Sequence, residues 1–451
     1  MNRIETFARA GLFDRSVPRY TSYPPANHFT VLQPGTQMRW LEDLPRGPIS
    51  LYIHIPFCER LCWFCACRTQ AVNGPGPVES YLKVLRREIA AVASCLPGGV
   101  TVGRMHWGGG TPTILSPDQI RKLAHDLRSA FTFDEDGEFS VEIDPACVDT
   151  AKLNALVEAG LNRASVGIQD FAIDVQDTIG RHQSFDQTRG VLDHLRDHGV
   201  TSLNADLVYG LPRQTMESLA ATIEKIGRLD PDRIALYGYA HVPWMSKRQR
   251  VIPEETLPSP HTRFAMAEMT ALMLAERGFD AIGIDHFAKP ADGLAIAKRT
   301  GHLRRNFQGY TDDTMTALVG LGASSISRLP QGYVQNAPAT PAWSERVENG
   351  HLPGMRGHAF TAEDTLRARA IERLMCGFEI DMPALAVETG QDIAALSRIA
   401  AALPGAFPGC VTWENGVLAI PPAGRPLTRL VAERFDAYAD PDAMGRHSQA
   451  I

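Results

Sequence analysis

The chain has 451 residues, enough for two or three domains around a sizeable core. Its composition is ordinarily globular, 44% hydrophobic and 21% charged. A net charge of −6 argues against a general nucleic-acid binder, which needs a basic surface, and no apolar run approaches a membrane span.

The opening stretch MNRIETFARAGLFDR is polar and mixed in charge. It lacks the apolar segment of a secretory signal, so the protein is expected in the cytoplasm. Residues 1–47 show little helical or strand period and contain PRYTSYPPANHF, which reads as an extended arm lying on the main body.

From residue 48 to about 290, strand-like and helix-like segments alternate. The strand candidates are 50–55, 104–109, 138–143, 163–168, 202–210, 233–239 and 280–284. Helices are expected between them, for example over 78–94 and over 116–131, where Ser116 and Pro117 make a good start. Such alternation predicts an α/β fold, a parallel sheet with right-handed crossovers. Six or seven units suggest a full or partial (β/α) barrel, extended as far as residue 360.

A separate, mainly helical unit is expected over 361–451. Thr361 and Asp364 form a near capping box, helices follow at about 382–389, 392–403 and 426–438, and the Glu-Asn-Gly of VTWENGVLAI signals a hairpin. Helices plus one hairpin suggest a winged-helix-like module. With 8 Arg, no Lys and 12 acidic residues it suits a lid better than a DNA-binding domain.

The polar residues gather where barrel chemistry is done. Beyond the first strand comes a loop with Cys58, Cys62, Cys65 and Cys67; beyond the second comes GGGTPT (108–113). Glu142 and Asp144, Gln169 and Asp170, Asp206 and Tyr209, and Tyr239 and His241 follow at the ends of the next four. Carboxyl ends of barrel strands form one rim, where catalytic groups meet. Glu142 and Asp206 sit inside otherwise apolar runs, which favours a shared site over simple solvation.

Cys58, Cys62 and Cys65 have the spacing C-x3-C-x2-C. One loop can thereby present three thiolates to three corners of a cubic iron–sulfur cluster, leaving the fourth iron open to bind and reduce a small molecule. Structural zinc would ask for two separated ligand pairs. A fourth thiolate at Cys67 would make a plain electron-transfer cluster, but one intervening residue makes it hard for Cys65 and Cys67 to hold different irons. Cys95, Cys147, Cys376 and Cys410 are isolated and read as mostly buried thiols. The glycines of HWGGGTPT allow close backbone approach to a ligand or simply a tight turn. His54 precedes the cysteine loop on the first strand, a better place for function than most of the fourteen histidines. The basic runs at 248–250 and 303–305 are either solvated faces or substrate contacts.

Taken together, these features resemble the radical S-adenosylmethionine (SAM) superfamily. More closely, PRYTSYP (18–24), YIHIPFC (52–58), HWGGGTPT (106–113), VEIDP (141–145), GIQDF (167–171), DLVYGLP (206–212), FDAIGIDHFAKP (279–290) and RNFQGYT (305–311) resemble the oxygen-independent coproporphyrinogen III oxidases. The resemblance implies one [4Fe–4S] cluster on Cys58, Cys62 and Cys65, with SAM chelating the open iron and, in some relatives, a second SAM beside it. The positions matching SAM contacts are Tyr52, Phe64, Gly109, Gly110, Thr111, Glu142, Gln169, Arg181, Asp206, Ala240 and Ile326. Tyr52, His54 and Cys67 match catalytic positions. The implied reaction is radical decarboxylation of two propionates of coproporphyrinogen III to vinyl groups, giving protoporphyrinogen IX. It implies a monomer supplied with electrons by a protein such as a flavodoxin or ferredoxin. Two other readings of the superfamily, a haem chaperone and a methyltransferase, fit less well: the chaperones typically have Phe at the position of Cys67 and lack the PRYTSYP arm, and RNFQGYT and the arm favour the decarboxylase over the methyltransferase. Pro25 stands where Thr is common and Ala146 where Arg is common. Arg19, His54, Arg248 and Arg304 are the candidates for holding propionates.

Overall fold

The computed structural model describes residues 3–439 and 450; the end of the 361–451 unit and the first two residues of the arm therefore lie outside the described residues. Six strands follow one another in the expected βα rhythm: β1 (Gly47–Ile55), β2 (Val100–Gly109), β3 (Phe133–Ile143), β4 (Arg163–Gln169), β5 (Ser202–Tyr209) and β6 (Arg233–Gly238). Each is parallel to the next. A further parallel strand, β7 (Leu318–Leu321), pairs with β1 on its other side, Gly320 beside Tyr52.

Strand burial follows the pleat. In β1, Ile49, Leu51, Ile53 and Ile55 are almost wholly buried. They face the helices, whereas Ser50, Tyr52 and His54 between them face a central cavity. The helix Gly76–Cys95 covers this outer face with Val78, Tyr81, Leu82, Leu85, Ile89 and Val92 at helical spacing. The helix Pro117–Ala130 starts as the sequence suggests: Ser116 and Gln119 form a reciprocal capping box and Pro117 occupies the first turn.

Among the described residues the sheet does not close; it has thirteen strands there, and its edges are antiparallel additions. The segment read as a seventh unit, 280–284, departs from expectation. Asp280–Ile282 pairs antiparallel with His286–Ala288, which pairs antiparallel with β6. Only three residues separate these two short strands, too few for the helical crossover a parallel neighbour needs. Beyond β7, Ile326–Leu329, Gly332–Asn336, Gly354–Ala359 and Thr30–Val31 continue the other edge.

The N-terminal segment is less extended than its composition suggests. Arg3–Arg9 and Thr36–Glu42 are helical. Phe7, Leu12, Phe13, Val17, Tyr20 and Tyr23 share a second core with residues of the C-terminal helices, such as Leu374 and Leu430. Burying each such side chain contributes about 1.5–3 kcal/mol, which is what holds these remote segments together. The C-terminal helices Ala362–Gly377, Met382–Thr389 and Ala394–Ala406 and the hairpin Thr412–Glu414/Val417–Ala419 form, and Glu379–Asp381 adds a third strand. The helix expected at 426–438 is broken: a short helix Thr428–Ala432 lies between 3-10 turns.

Candidate active site

One cavity of about 870 Å3 opens at the carboxyl ends of β1–β6. Every residue singled out as a ligand, cofactor contact or catalytic group lines it: Cys58, Cys62, Cys65 and Cys67; Tyr52 and His54; Phe64, Gly109, Gly110, Thr111, Glu142, Gln169, Arg181, Asp206, Ala240 and Ile326. Among the propionate candidates Arg19, His54 and Arg248 line it as well. Arg304 does not, and reaches back to the Leu303 carbonyl at 3.4 Å. Arg305, from the same basic run, is committed to Asp285 at 3.3 Å.

Three segments bring hydrogen-bond donors to the three cysteine sulfurs. Thr111 Oγ1 donates to Cys58 Sγ at 3.6 Å, Arg181 Nη1 to Cys62 Sγ at 3.6 Å, and the Cys67 N–H to Cys65 Sγ at 3.4 Å. Donors of this kind suit thiolates. No three His, Cys, Asp or Glu side chains among the described residues converge on a point fit for one metal ion. Three thiolates that take separate irons of a cluster need not converge on one point. The residues thus fit a three-thiolate iron–sulfur cluster.

Cys65 and Cys67 are driven apart in acidity. The Cys65 thiol is lowered, first by the hydrogen bond from the Cys67 side chain, with the Cys67 N–H, Arg248 and Arg181 adding to it. The Cys67 thiol is raised by that same neighbour and by burial. Negative charge therefore settles on Cys65, and Cys67 is left as a protonated thiol facing the cavity. The other four cysteines stand apart from this loop: Cys376 and Cys410 are buried, and Cys95 and Cys147 are half-buried.

Arg181 is the electrostatic hinge of this rim. It bonds Asp144 at 3.0 Å and the Gly167 carbonyl at 2.6 Å besides Cys62. Burial works against its charge, but Asp144 and Cys62 outweigh it and raise its pKa. Ala146 contributes only its N–H, to Asp144 at 3.0 Å, so the Arg-to-Ala difference there leaves this pair intact.

Glu142 accepts from the Gly109 N–H at 3.0 Å and lies 3.3 Å from His106 Nε2. Burial would raise its carboxyl, yet His106 and the Gly109 amide hold it below the usual range. Asp206 accepts from Ser165 Oγ at 2.7 Å and Asn204 Nδ2 at 2.8 Å, and burial, with Glu142 adding, raises it. The two carboxyls lining one wall thus differ in proton affinity. Tyr52 shares a 3.0 Å hydrogen bond with His54 Nδ1; burial pushes the Tyr52 hydroxyl up and the His54 imidazole down, so both rest neutral.

The glycine run has a tighter reason than ligand approach alone. At Gly109 (φ +110°) a Cβ would come within 2.4 Å of the His54 ring, and at Gly110 within 2.5 Å of the Phe57 carbonyl. Gly110 N–H and Thr111 N–H donate to the Ile55 and Phe57 carbonyls at 2.8 Å, locking this turn to the start of the cysteine loop.

Ser140, Ser165, Asn204 and Tyr237 also line the cavity and are missed by the sequence reading. Their signal is present as polar residues at every second position of β3–β6. Phe307 and Gln308 line it too, from a two-stranded ribbon, Arg304–Asn306 with Gly309–Thr311, whose placement no local pattern announces. Arg19 enters from the PRYTSYP strap and donates to the Gly238 carbonyl at 2.9 Å. The strap is tied down by Arg429, which donates to the Val17 and Pro18 carbonyls, and by Tyr23, whose hydroxyl accepts from the Ala437 N–H at 2.9 Å.

Comparison with known proteins agrees with this geometry. Residues 52–226 match the radical SAM superfamily profile. Over its whole length the chain is 54% identical to the oxygen-independent coproporphyrinogen III oxidase of Cereibacter sphaeroides, and 52% identical to that of Paracoccus denitrificans, covering 100% of each. The solved structure of coproporphyrinogen III oxidase from Escherichia coli, described as a radical SAM enzyme, superposes with a TM-score of 0.90 at 36% identity, covering 94% of this chain and 100% of that one.

Proposed function

The chain belongs to the oxygen-independent coproporphyrinogen III oxidases of the radical SAM superfamily, and we propose accordingly that its cavity converts two propionates of coproporphyrinogen III to vinyl groups, yielding protoporphyrinogen IX. The observation that carries the reading is the set of three hydrogen-bonded cysteine sulfurs at the rim of one large cavity that Glu142, Asp206 and Arg181 also line. When bound, a [4Fe–4S] cluster and SAM supply one-electron reduction and a carbon radical able to take hydrogen from a propionate β-carbon.

The chain's own residues have separate tasks. Cys58, Cys62 and Cys65 hold the cluster, and Arg181 and Thr111 stabilise the thiolate charge on it. Gly109, Gly110, Thr111, Phe64, Ala240 and Ile326 shape the seat for SAM, while Glu142, Gln169, Arg181 and Asp206 offer charged and polar partners to its amino, carboxylate and ribose groups. The seat accommodates one SAM, with a second beside it as some relatives allow. Neutral Tyr52 and His54 and the protonated thiol of Cys67 face the reacting space. Arg19 and Arg248 face it with guanidinium groups suited to substrate carboxylates. The strap closes one side of the cavity and limits access of other hydrogen donors.

The full reading includes a monomer in the cytoplasm that takes electrons from a flavodoxin or ferredoxin. It also divides the chain into an arm (1–47), a barrel with extension (48–360) and a C-terminal unit (361–451), the arm packing on the C-terminal helices. Among the described residues no helix is long and apolar enough to cross a membrane. The test is anaerobic reconstitution with iron, sulfide, reductant, SAM and coproporphyrinogen III. Protoporphyrinogen IX, carbon dioxide and 5′-deoxyadenosine are expected; an intact cluster without both 5′-deoxyadenosine and a vinyl product would overturn the assignment.

A further inference from the structure

The segment following β6 covers the cysteine loop from outside. Ser246 Oγ donates to the Cys65 carbonyl at 2.9 Å, Gln249 Nε2 to the Phe64 carbonyl at 2.6 Å, and Arg248 to the hydroxyl and carbonyl of Thr69, each at 3.0 Å. On the other flank, the Trp63 N–H donates to the Ile179 carbonyl at 2.8 Å. Its ring lies so close to Gly180 that a Cβ there would approach within 3.0 Å. Both segments are thus fixed to the cysteines, and both turn large apolar side chains to solvent. Trp63 is 41% exposed, Trp244 54%, Met245 70% and Val251 57%. None of the four lines the cavity, so neither SAM nor substrate would cover them. Exposed apolar groups on both flanks of one loop mark a contact surface.

The segment after β6 is basic, while Asp174 and Asp177 lie on the helix beside Trp63. From Ala240 to Pro253 the chain carries Lys247, Arg248 and Arg250 and no acid. Lys247, Arg250 and Arg68 of the cysteine loop are exposed. Glu254 and Glu255 follow, and Glu254 lies 3.3 Å from His241. On a chain of net charge −6, this basic and aromatic face attracts an acidic partner. The chemistry also demands an external source of electrons. Cys95, Cys147, Cys376 and Cys410 are isolated in the sequence, so the chain carries no second cysteine motif to relay electrons internally.

We infer that the face formed by Trp63, Trp244, Met245 and Val251, ringed by Lys247, Arg250 and Arg68, docks a small acidic redox protein that delivers single electrons to the cluster. The inference rests on the radical SAM reading above. In the transfer, a donor flavin hydroquinone loses one electron and one proton to become the neutral semiquinone; the electron reduces the cluster and the proton passes to solvent.

The test compares the reconstituted wild type with Lys247→Glu/Arg250→Glu and with Trp244→Ala/Met245→Ala, using a bacterial flavodoxin as the probe. Binding of oxidised flavodoxin is measured by calorimetry, and cluster reduction by flavodoxin hydroquinone by stopped-flow absorbance. The charge reversal is expected to weaken binding about 10-fold or more, as loss of steering charge does, and to slow reduction in parallel. Wild-type binding should weaken with salt, and turnover driven by dithionite should be unchanged in both variants. Absence of wild-type binding, or equal binding in wild type and both variants, overturns the docking inference. Failure of dithionite-driven turnover in the wild type would instead overturn the enzymatic reading. Dimerisation of the wild type that Trp244→Ala abolishes would assign the face to a second copy of the chain and overturn the inference as well.

Discussion

The two ends of the cavity are built from the same strands and the same kinds of residue, yet they are wired differently. At the carboxyl end, polar groups face the cavity with bonds directed mostly to backbone and hydroxyl groups, Glu142 to Gly109, Arg181 to Gly167 and Asp206 to Ser165, and Arg181 alone of these is also paired with a carboxylate, Asp144. At the opposite end, charges neutralise one another. Arg104 pairs with Asp312 at 2.6 Å, Arg163 with Glu138 at 3.1 Å, and Arg233 with Asp292 at 2.6 Å and Asp312 at 3.5 Å. Ser50 Oγ closes the layer by donating to Asp313 at 2.5 Å. Charge inside a barrel is therefore not by itself a sign of function. Charge already paired within the protein forms a plug, and charge left facing the void can bind a ligand.

Five experiments probe this contrast between rim and plug. The largest effect is expected at the rim, where Cys62→Ser should abolish both the iron–sulfur absorbance and all SAM cleavage. At the plug, Arg233→Ala leaves Asp292 buried without its partner, while Asp312 keeps Arg104, and should cost about 3–5 kcal/mol of stability, as breaking a buried ion pair does. Denaturant unfolding reads this, and cluster loading of the surviving folded protein should be normal. If Arg233→Ala impaired SAM binding instead, the plug would be part of the site.

Glu142→Gln keeps the shape but removes the charge. It should weaken SAM binding about 10- to 100-fold, the equivalent of a lost charged hydrogen bond of about 1.5–3 kcal/mol, with little change in unfolding. A smaller effect is expected from acid. Asp312 is buried, which would raise its carboxyl, but Arg104 and Arg233 outweigh burial and hold it low. Its stabilising contribution is present above the unfolded value of about 3.9 and is lost as pH falls through the folded value. Unfolding should therefore ease below about pH 4, and Arg104→Gln should make that acid limb shallower. The smallest effect on the cluster is expected from Cys67→Ser, which should leave its absorbance unchanged while lowering decarboxylation. Loss of the cluster in that variant would make Cys67 a ligand.

Much of the site is legible in the amino-acid order because its signals are local. The cysteine spacing lies within one loop, and β1–β6 announce themselves by apolar residues at every second position. Glu142 and Asp206 stand out because each interrupts such a run. What is not legible depends on partners far along the chain. β7 is a four-residue strand recognisable only by its pairing with β1. Arg304 and Arg248 look alike as members of basic runs, yet only Arg248 is carried to the cavity, by its bonds to Thr69. The helix expected over 426–438 is reduced to Thr428–Ala432 between 3-10 turns.

The order of strands and helices, the three-thiolate loop and the polar face of each strand are properties of the sequence alone, because covalent spacing and the period of two set them without reference to the rest of the chain. Which of those inward-facing charges are free to act is settled in three dimensions. That depends on whether a counter-charge from a distant loop, such as Asp292 or Asp312, reaches them. The same holds for Arg19, which becomes a cavity residue only because Arg429, some four hundred residues later in the chain, ties down its strap.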